Sequence, residues 1–382
     1  QECSARLGLK AAAAGVHGGG VGAGGGGRCG GHVLVILAGV EHGNALDCAR
    51  SVYPFCAPGR WLARRTFESP CMSSASPACN LGALPARFRR ARVLIVGCGD
   101  VGLRVAQALR ASATGRSPVR VLALTSSPER APALRAQGIT PLLGNLDHAA
   151  SLRRLSGLAT QVLHLAPPPG QGERDPRTLA LVRALRLRCP PAALVYASTS
   201  GVYGDCGGAW VTETRVLAPA TARARRRVDA ERLVRFAGRS GLRASILRVP
   251  GIYAPNREGG TPEARLRRGT PVLVPADDVY TNHIHADDLA RACVAALWRG
   301  APQRVYHASD DSDLKMGDYF DLAADLYGLP RPPRITRAQA QTDIAPMLLS
   351  FMSESRRMDN TRLHRELRVR LLYPTVVQGL RS

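Results

Sequence analysis

Short apolar segments alternate with segments of helical periodicity from residue 92 onward, and this alternation restricts the fold more than any other feature of the chain. The helical segments are "VGLRVAQALR" (101–110), "ERAPALRAQG" (129–138) and "RTLALVRALRLR" (177–188). The apolar segments are "RVLIV" (92–96), "VRVLALT" (119–125), "TPLLGNL" (140–146), "QVLHLAP" (161–167) and "ALVYASTS" (193–200). Strands and helices that alternate at this spacing form right-handed crossovers. The sequence therefore predicts an α/β fold with a doubly wound parallel sheet.

The turn after the first predicted strand contains three glycines at the spacing G-x-G-x-x-G. In "GCGDVG" they are Gly97, Gly99 and Gly102. The first glycine permits a tight turn, the second lets the backbone approach a pyrophosphate, and the third lets the helix pack on the strand. Because the turn lies between a strand and a helix, it predicts a Rossmann fold that binds a dinucleotide. The alternative is a glycine turn that only connects two elements.

The end of the second predicted strand favours NADP over NAD. NAD-selective sites place an acidic residue there, which binds the ribose 2′-hydroxyl. This chain has Thr125, Ser126 and Ser127 instead, with Arg130 shortly after. A guanidinium forms bidentate, charge-assisted bonds with a 2′-phosphate. The alternative is that Arg130 simply begins a solvated helix.

The first 90 residues differ in composition from the rest of the chain. They include the glycine-rich stretch "GVHGGGVGAGGGGRCGG" (15–31) and lack a sustained helical or strand period. Such a segment cannot bury enough apolar surface to offset the entropy of ordering it, so residues 1–90 are predicted to be a disordered leader. Since the chain starts with Gln1, the alternative is an upstream extension outside the native protein.

The formal net charge of +23 suggests a polyanionic partner, but the distribution of the charge argues against nucleic acid. Lys10 and Lys315 are the only lysines among 52 basic residues, and the arginines are spread along the chain without interleaved aromatic residues. The ten cysteines form no CxxC pair, and no signal peptide is recognised, which favours a cytoplasmic protein. The apolar run "VLVILAGV" (33–40) is too short to span a membrane.

Further segments resemble the extended short-chain dehydrogenase/reductase family, which contains the NAD-dependent epimerases and dehydratases. They are "YASTSGVYGD" (196–205), "GNLD" (144–147), "LHLAPP" (163–168), "ILRVPGIYAPNR" (246–257), "TNHIHADDLARACVAAL" (281–297) and the C-terminal "SFMSESRRMDNTRLHRELRVRLLYPT" (350–375). The resemblance implies that residues 91–382 form an NAD(P)-binding Rossmann domain. It places a smaller substrate-side subdomain mainly within residues 250–382.

The resemblance also implies an active site built from a Ser/Thr, a Tyr and a Lys. The hydroxyl position falls on Thr199, four residues before Tyr203. The family's Tyr-x-x-x-Lys pair begins eight residues before a helical glutamate, which Glu231 matches. Counting back places Arg223 at the tyrosine position and Arg227 at the lysine position. An arginine is always protonated in proteins, so neither residue exchanges a proton.

No shift of the alignment restores the missing pair. No tyrosine lies between Tyr203 and Tyr253, and Lys315 is far downstream. The chain therefore resembles atypical members of the family. Tyr203 and Tyr253 match structural tyrosines of the family, and the alternative is that Tyr203 is a speculative replacement as a tyrosine with a lowered pKa. The implied cofactor contacts are Gly97, Gly99, Asp100, Val101, Gly102, Ser126, Arg130, Asn145, Leu146, Leu165, Ala166, Pro167 and Pro250.

Two hypotheses of function follow. The first is an atypical NADP-dependent oxidoreductase or epimerase that acts on a hydroxylated, sugar-nucleotide-like small molecule. The second is a catalytically inactive NADP-sensing or scaffold protein. A homodimer is a candidate assembly, because family members dimerise through two helices and the helix after Arg223 would be one of them.

Two clusters of charged residues receive structural interpretations. His283, His285, Asp287 and Asp288 are expected to hold no metal; one of the two aspartates is expected to cap the helix that follows. In the arginine-rich stretch "ATARARRRVDAERL" (220–233), the i, i+4 spacing predicts the ion pairs Arg225–Asp229 and Arg227–Glu231.

Overall fold

A central parallel sheet organises the computed structural model, which describes residues 90–111 and 119–382. Within this part of the chain, the sheet contains seven strands: β1 (Arg92–Val96), β2 (Arg120–Thr125), β3 (Thr140–Leu143), β4 (Gln161–His164), β5 (Ala193–Thr199), β7 (Arg243–Val249) and β12 (Arg304–His307). They pair in the order β12-β7-β5-β4-β1-β2-β3, and every pairing is parallel. The predicted fold class is confirmed. The predicted leader, apart from its last residue, lies outside the described residues.

Helices cover both faces of the sheet, which explains why the strands are continuously apolar. In β1, Val93 and Ile95 face one layer, whereas Leu94 and Val96 face the other, and all four are fully buried. The first layer contains α1 (Asp100–Ala111), α2 (Ala131–Ala136) and α6 (Ala286–Arg299). The second contains α3 (Pro176–Leu185) and α4 (Ala222–Gly238).

A smaller subdomain lies beyond the C-terminal ends of β5 and β7. Its core joins Tyr253 to residues of the helices α5 (Glu263–Arg267), α7 (Met316–Tyr327), α8 (Arg337–Asp343) and α11 (Val376–Leu380). Of the two remaining helices, α9 (Pro346–Phe351) packs on this core, whereas α10 (Thr361–Arg365) packs on the sheet side, where its Leu363 belongs to the core of the first layer. Short paired strands complete the subdomain: β6 (Trp210–Val211), β8 (Gly251–Tyr253), β9 (Val272–Leu273), β10 (Tyr280–Thr281), β11 (His283–His285), β13 (Leu314–Lys315), β14 (Arg334–Ile335) and β15 (Arg357–Met358).

The two parts are interleaved along the chain. The substrate-side subdomain was predicted mainly within residues 250–382, yet α6 and β12 fall inside that range and belong to the sheet and its helical layer. The chain leaves the sheet after β7, builds part of the subdomain, and returns as α6 and β12. It then continues the subdomain, returns to the sheet side as α10, and ends in the subdomain with α11. Among the described residues, no helix is both long and apolar enough to cross a membrane.

Candidate functional site

The glycine turn between β1 and α1 has the geometry that its spacing predicts. Gly97 has a φ of +87°, and a Cβ atom there would lie 2.4 Å from the backbone nitrogen of Ala166. Gly102 packs closely on the strand, since its Cβ would lie 3.2 Å from Ile95 Cγ2. Gly99 is different, because no described atom lies within 4 Å of its Cβ position. The turn is thus closed on the protein side and open above the N-terminus of α1, as a pyrophosphate requires.

Charged side chains fix this turn to the loop after β8. The Arg104 guanidinium donates to Asp100 Oδ1 (3.1 Å), Asp287 Oδ1 (2.5 Å) and Asn256 Oδ1 (2.6 Å). Arg257 Nε lies 3.2 Å from the second oxygen of Asp100. The Asp100 carboxylate is therefore shared between two arginines, and it is held at the first position of α1.

The end of β2 presents hydroxyl groups and one arginine to the glycine turn. Thr125 is buried, and its hydroxyl oxygen accepts from the backbone N–H of Ser127 (3.2 Å), whereas Ser126 is exposed. Arg130 Nη2 donates to the carbonyl oxygen of Cys98 inside the glycine turn (2.7 Å). Burial raises the pKa of the Cys98 thiol to about 11, so this cysteine is not a reactive thiolate.

The other predicted cofactor contacts from β3 and β4 lie along the same edge of the sheet. Asn145 Oδ1 accepts from the backbone N–H of Asp147 (2.9 Å), and Leu146 packs on the core of the α3 side. The backbone N–H groups of Leu165 and Ala166 both donate to the carbonyl oxygen of Val96, at 2.7 and 3.0 Å. Pro167 follows and is exposed. Of these residues, Ala166 lies directly against Gly97 of the glycine turn.

A cavity of about 520 Å³ lies beyond the C-terminal ends of β5 and β7. Thr199, the last residue of β5, borders it, and so does Pro250, which follows β7. The Thr199 hydroxyl oxygen accepts from the backbone N–H of Gly201 (3.4 Å). The opposite wall comes from the subdomain and includes Tyr319 of α7 and Phe351 of α9. The cavity therefore separates the sheet from the smaller subdomain.

Arg223 and Arg227 both line this cavity from α4. Thr221 caps the helix by accepting from the backbone N–H of Ala224 (3.1 Å). The Arg223 guanidinium carbon lies 4.6 Å from the centre of the Phe351 ring. Arg227 Nη1 donates to the carbonyl oxygen of Ala197 (2.9 Å) and also to a tyrosine hydroxyl of β5 (3.1 Å). The two positions implied for the catalytic pair thus face the cavity as fixed cations.

The predicted ion pairs within α4 are wrong. Arg225 Nε instead pairs with Glu173 (2.8 Å), and Asp229 accepts from the backbone N–H of Asp175 (2.8 Å). Arg227 bonds to β5, as described above. Glu231 is buried against the sheet, where it pairs with Arg248 of β7 through two bonds of 3.1 and 2.8 Å. Partners on neighbouring segments therefore replace the pairs predicted within the helix.

Tyr203 does not fit the speculative role of a proton carrier with a lowered pKa. Its side chain is 1% exposed and is not among the cavity-lining residues. Arg248 Nη1 donates to its hydroxyl oxygen (2.6 Å), and its hydroxyl also lies 2.5 Å from His307 Nε2. Burial raises the pKa of Tyr203 to about 12 despite the nearby arginine. It is a structural residue that fills the core beneath the cavity.

The prediction that an aspartate caps α6 is also wrong. The cap is His285, whose Nδ1 accepts from the backbone N–H of Asp287 (3.2 Å). Asp288 is buried and accepts from the backbone N–H groups of Leu372 and Tyr373, at 2.7 and 2.8 Å. Asp287 is bound by Arg104 of α1. In the part of the chain that the structure describes, no three metal-ligating side chains cluster.

Several cavity residues have no counterpart among the sequence predictions. Arg265 of α5, His283 of β11 and the pair Glu354 and Arg356 all border the cavity. Arg265 stacks on the Phe320 ring with its guanidinium carbon at 4.2 Å. Arg265 comes from a segment with no motif. His283, Glu354 and Arg356 lie in segments that carry the family resemblance, but no role at this cavity was predicted for them, and His283 was noted only as part of a metal spacing. Only the fold brings these residues together.

The seven-stranded parallel sheet and the open glycine turn define an α/β protein of the Rossmann type. A model of the NAD dependent epimerase/dehydratase family matches residues 93–308, and the chain belongs to this family. No curated protein sequence matches it.

Solved structures resemble this chain over most of its length. A protein of unknown function from Silicibacter pomeroyi is 32% identical, with a TM-score of 0.62, over 76% of this chain and 97% of that chain. MoeE5, solved with UDP-glucose and NAD, is 21% identical (TM-score 0.57; 76% and 97% covered). UDP-glucuronic acid 4-epimerase from Bacillus cereus, solved with NAD, is 16% identical (TM-score 0.59; 75% and 95% covered). The last two show a shared fold.

Proposed function

We propose that this chain binds NADP and acts as an oxidoreductase or epimerase on a hydroxylated, sugar-nucleotide-like small molecule. The observation that carries the proposal is the position of the cavity. It opens at the C-terminal ends of β5 and β7, on the same edge of the sheet as the glycine turn. Ligands of doubly wound sheets bind at this edge, where the strand order reverses, and here it reverses between β1 and β4.

The residues present fit a nicotinamide dinucleotide. The space beside Gly99 admits a pyrophosphate, and the helix behind it offers free N–H groups. When bound, such a cofactor exchanges a hydride with a substrate carbon. Thr199 is placed to orient the substrate hydroxyl, and Arg227 supplies positive charge at the wall of the cavity. MoeE5 and the Bacillus cereus epimerase were solved with NAD, and MoeE5 also with a UDP-sugar, which supports the class of cofactor and of substrate.

The preference for NADP rests on Arg130. Its guanidinium reaches the glycine turn, and no acid ends β2. We expect Arg130→Ala to weaken NADPH binding by roughly tenfold and to leave NADH binding unchanged, because only NADPH has the 2′-phosphate. Isothermal titration calorimetry measures both affinities. The matched control is Arg135→Ala, an exposed arginine of the adjacent helix. An equal loss for both cofactors in the Arg130 variant would contradict the preference.

A turnover assay distinguishes the proposed enzyme from the alternative, a catalytically inactive sensor or scaffold protein. Wild-type protein is incubated with NADP⁺ and a panel of nucleotide sugars and other hydroxylated compounds, including UDP-glucose and UDP-glucuronic acid. Absorbance follows the reduced cofactor, and NMR spectra detect epimerised products. We expect one class of compound to react. Tight NADP binding without any turnover supports the sensor instead.

The proposal also covers the oligomeric state of the protein and its location in the cell. We propose a cytoplasmic homodimer that pairs through α3 and α4. Phe236 of α4 is 59% exposed, which is consistent with a covered position in a dimer. Light scattering of the wild type and of Phe236→Glu tests this, because the charged side chain is expected to produce a monomer.

A further inference from the structure

The cavity lacks the tyrosine that the family resemblance implies, so the proton of a substrate hydroxyl needs another acceptor. Arg223 and Arg227 stay protonated and cannot accept it. Among the described residues that line the cavity, Glu354 is the only carboxylic acid. A carboxylate is an effective proton acceptor when it lies within hydrogen-bond reach of the substrate.

Three other titratable residues that line the cavity, His283, Tyr319 and Tyr253, are less suited to this step. Burial lowers the pKa of His283 to about 4, which makes its imidazole a weak base, and its ring stacks on Tyr319 at 4.2 Å. Burial raises the pKa of Tyr319 and of Tyr253. The Tyr253 hydroxyl also donates to the carbonyl oxygen of Thr375 (3.3 Å), which directs it into the subdomain core.

Glu354 lies beside the hydroxyl that is placed to orient the substrate. Glu354 Oε2 is 3.8 Å from the point that a Cβ atom of residue 201 would occupy, and Thr199 Oγ1 is 3.9 Å from the same point. Both oxygen atoms therefore border one small space above Gly201, which itself lines the cavity. A substrate hydroxyl in this space is within reach of both groups.

Arg356 fixes the carboxylate in this position. Its Nη1 donates to Glu354 Oε2 (2.9 Å) and to the carbonyl oxygen of Gly204 (2.7 Å). The Glu354 side chain is 14% exposed, and that of Arg356 is 10% exposed. A carboxylate that is largely buried and bonded to a fixed guanidinium is preorganised, since it needs no rearrangement when substrate binds.

We propose that Glu354 is the catalytic proton acceptor and donor of this site, in place of the missing tyrosine. This inference rests on the proposed function. The O–H bond of the substrate breaks as its proton passes to Glu354, and the C–O bond becomes a carbonyl. The hydride of the same carbon is transferred to the nicotinamide dinucleotide, which is the oxidant. In the reverse direction, protonated Glu354 returns the proton to the oxygen.

The negative charge of Glu354 is expected to affect cofactor binding, which can be measured without knowing the substrate. A nicotinamide ring bound in the cavity beside Thr199 would lie near Glu354, because both residues line that cavity. The oxidised ring is positively charged and the reduced ring is neutral, so the carboxylate would stabilise the oxidised form selectively.

Glu354→Gln tests the inference, because the amide oxygen still accepts from Arg356 while the charge is removed. Calorimetry measures the dissociation constants of NADP⁺ and NADPH. We expect the affinity for NADP⁺ to fall about fivefold, with no change for NADPH. With a substrate from the panel above, kcat is expected to fall about 100-fold or more at nearly constant KM. Glu354→Asp keeps the negative charge, but its shorter side chain holds the carboxylate further from the substrate. It is expected to give a smaller loss of NADP⁺ affinity and of kcat.

Glu366→Gln is the matched control. It removes the same charge from a glutamate that also pairs with an arginine, Arg304, but outside the cavity. It is expected to leave the affinity ratio and kcat unchanged. The inference is overturned if Glu354→Gln leaves the ratio of NADP⁺ to NADPH affinity unchanged, or weakens the binding of both cofactors equally. It is also overturned if kcat falls less than tenfold. A wild-type protein that binds neither cofactor overturns the proposed function itself, which is a different result.

Discussion

Gly99→Asp is expected to fold like the wild type and to lose roughly 100-fold or more in affinity for NADPH. No described atom lies within 4 Å of the Cβ position of Gly99, so the new side chain meets open space and not protein. Its carboxylate, however, points into the region that we assign to the pyrophosphate. Two negative charges at contact distance in a partly desolvated site repel each other by several kcal/mol. Calorimetric titration measures the affinity, and circular dichroism verifies the fold.

Gly99→Ala is the control, since its methyl group fits the same space without a charge. It is expected to lose much less affinity than the aspartate variant. Gly97→Ala is different, because its Cβ would lie 2.4 Å from the Ala166 backbone, and it is expected to destabilise the fold. If Gly99→Asp bound NADPH as tightly as the wild type, the glycine turn would not be the cofactor site.

Arg248→Met is expected to lower the free energy of unfolding by about 3–5 kcal/mol, because it leaves the Glu231 carboxylate buried without its main partner. Both side chains of this pair are 1% exposed. Arg248 also donates to the Tyr203 hydroxyl and to the Glu213 carbonyl oxygen (3.0 Å), so the variant leaves these acceptors with fewer donors. Urea unfolding monitored by circular dichroism measures the change.

Two further variants test whether the loss of stability in Arg248→Met results from leaving a buried charge without its partner. The double variant Arg248→Met, Glu231→Gln removes both charges and is expected to recover part of the lost stability. Arg331→Met breaks the exposed pair Arg331–Asp325 and is expected to leave stability nearly unchanged. A small effect of Arg248→Met, similar to that of Arg331→Met, would contradict the role of the buried pair.

The sheet and the glycine turn were predictable because their causes are local. β1 was predicted with its observed bounds, since a strand buried on both faces is apolar at every position. Gly97 and Gly102 were predictable because backbone conformation and packing on the neighbouring strand require them within a few residues, although the contact of Gly97 with Ala166 is supplied by the fold. Gly99 meets no such restriction and was predicted from the spacing of the motif. The family resemblance, counted back from Glu231, also implied Arg223 and Arg227, and both line the cavity.

The errors share another cause, namely partners that are distant in sequence. Arg225 and Glu231 bind residues outside α4, and Asp288 binds a segment 84 residues away. Tyr203 lies four residues after Thr199, yet the turn between them directs it into the core and not towards the cavity. Glu354 could not be identified, because its closeness to Thr199 depends on how the subdomain packs on the sheet. Tertiary packing decided each of these cases.

The interleaved path of the chain limits how this protein could exchange parts with its relatives. A single crossover near residue 250 would transfer β12 and α6 together with the subdomain, although both pack on the sheet. A chimaera made in this way would place a foreign strand beside β7 and a foreign helix against α1. Grafting a new substrate specificity therefore requires separate insertions that retain two native segments, residues 286–307 and the sheet-side segment that contains α10.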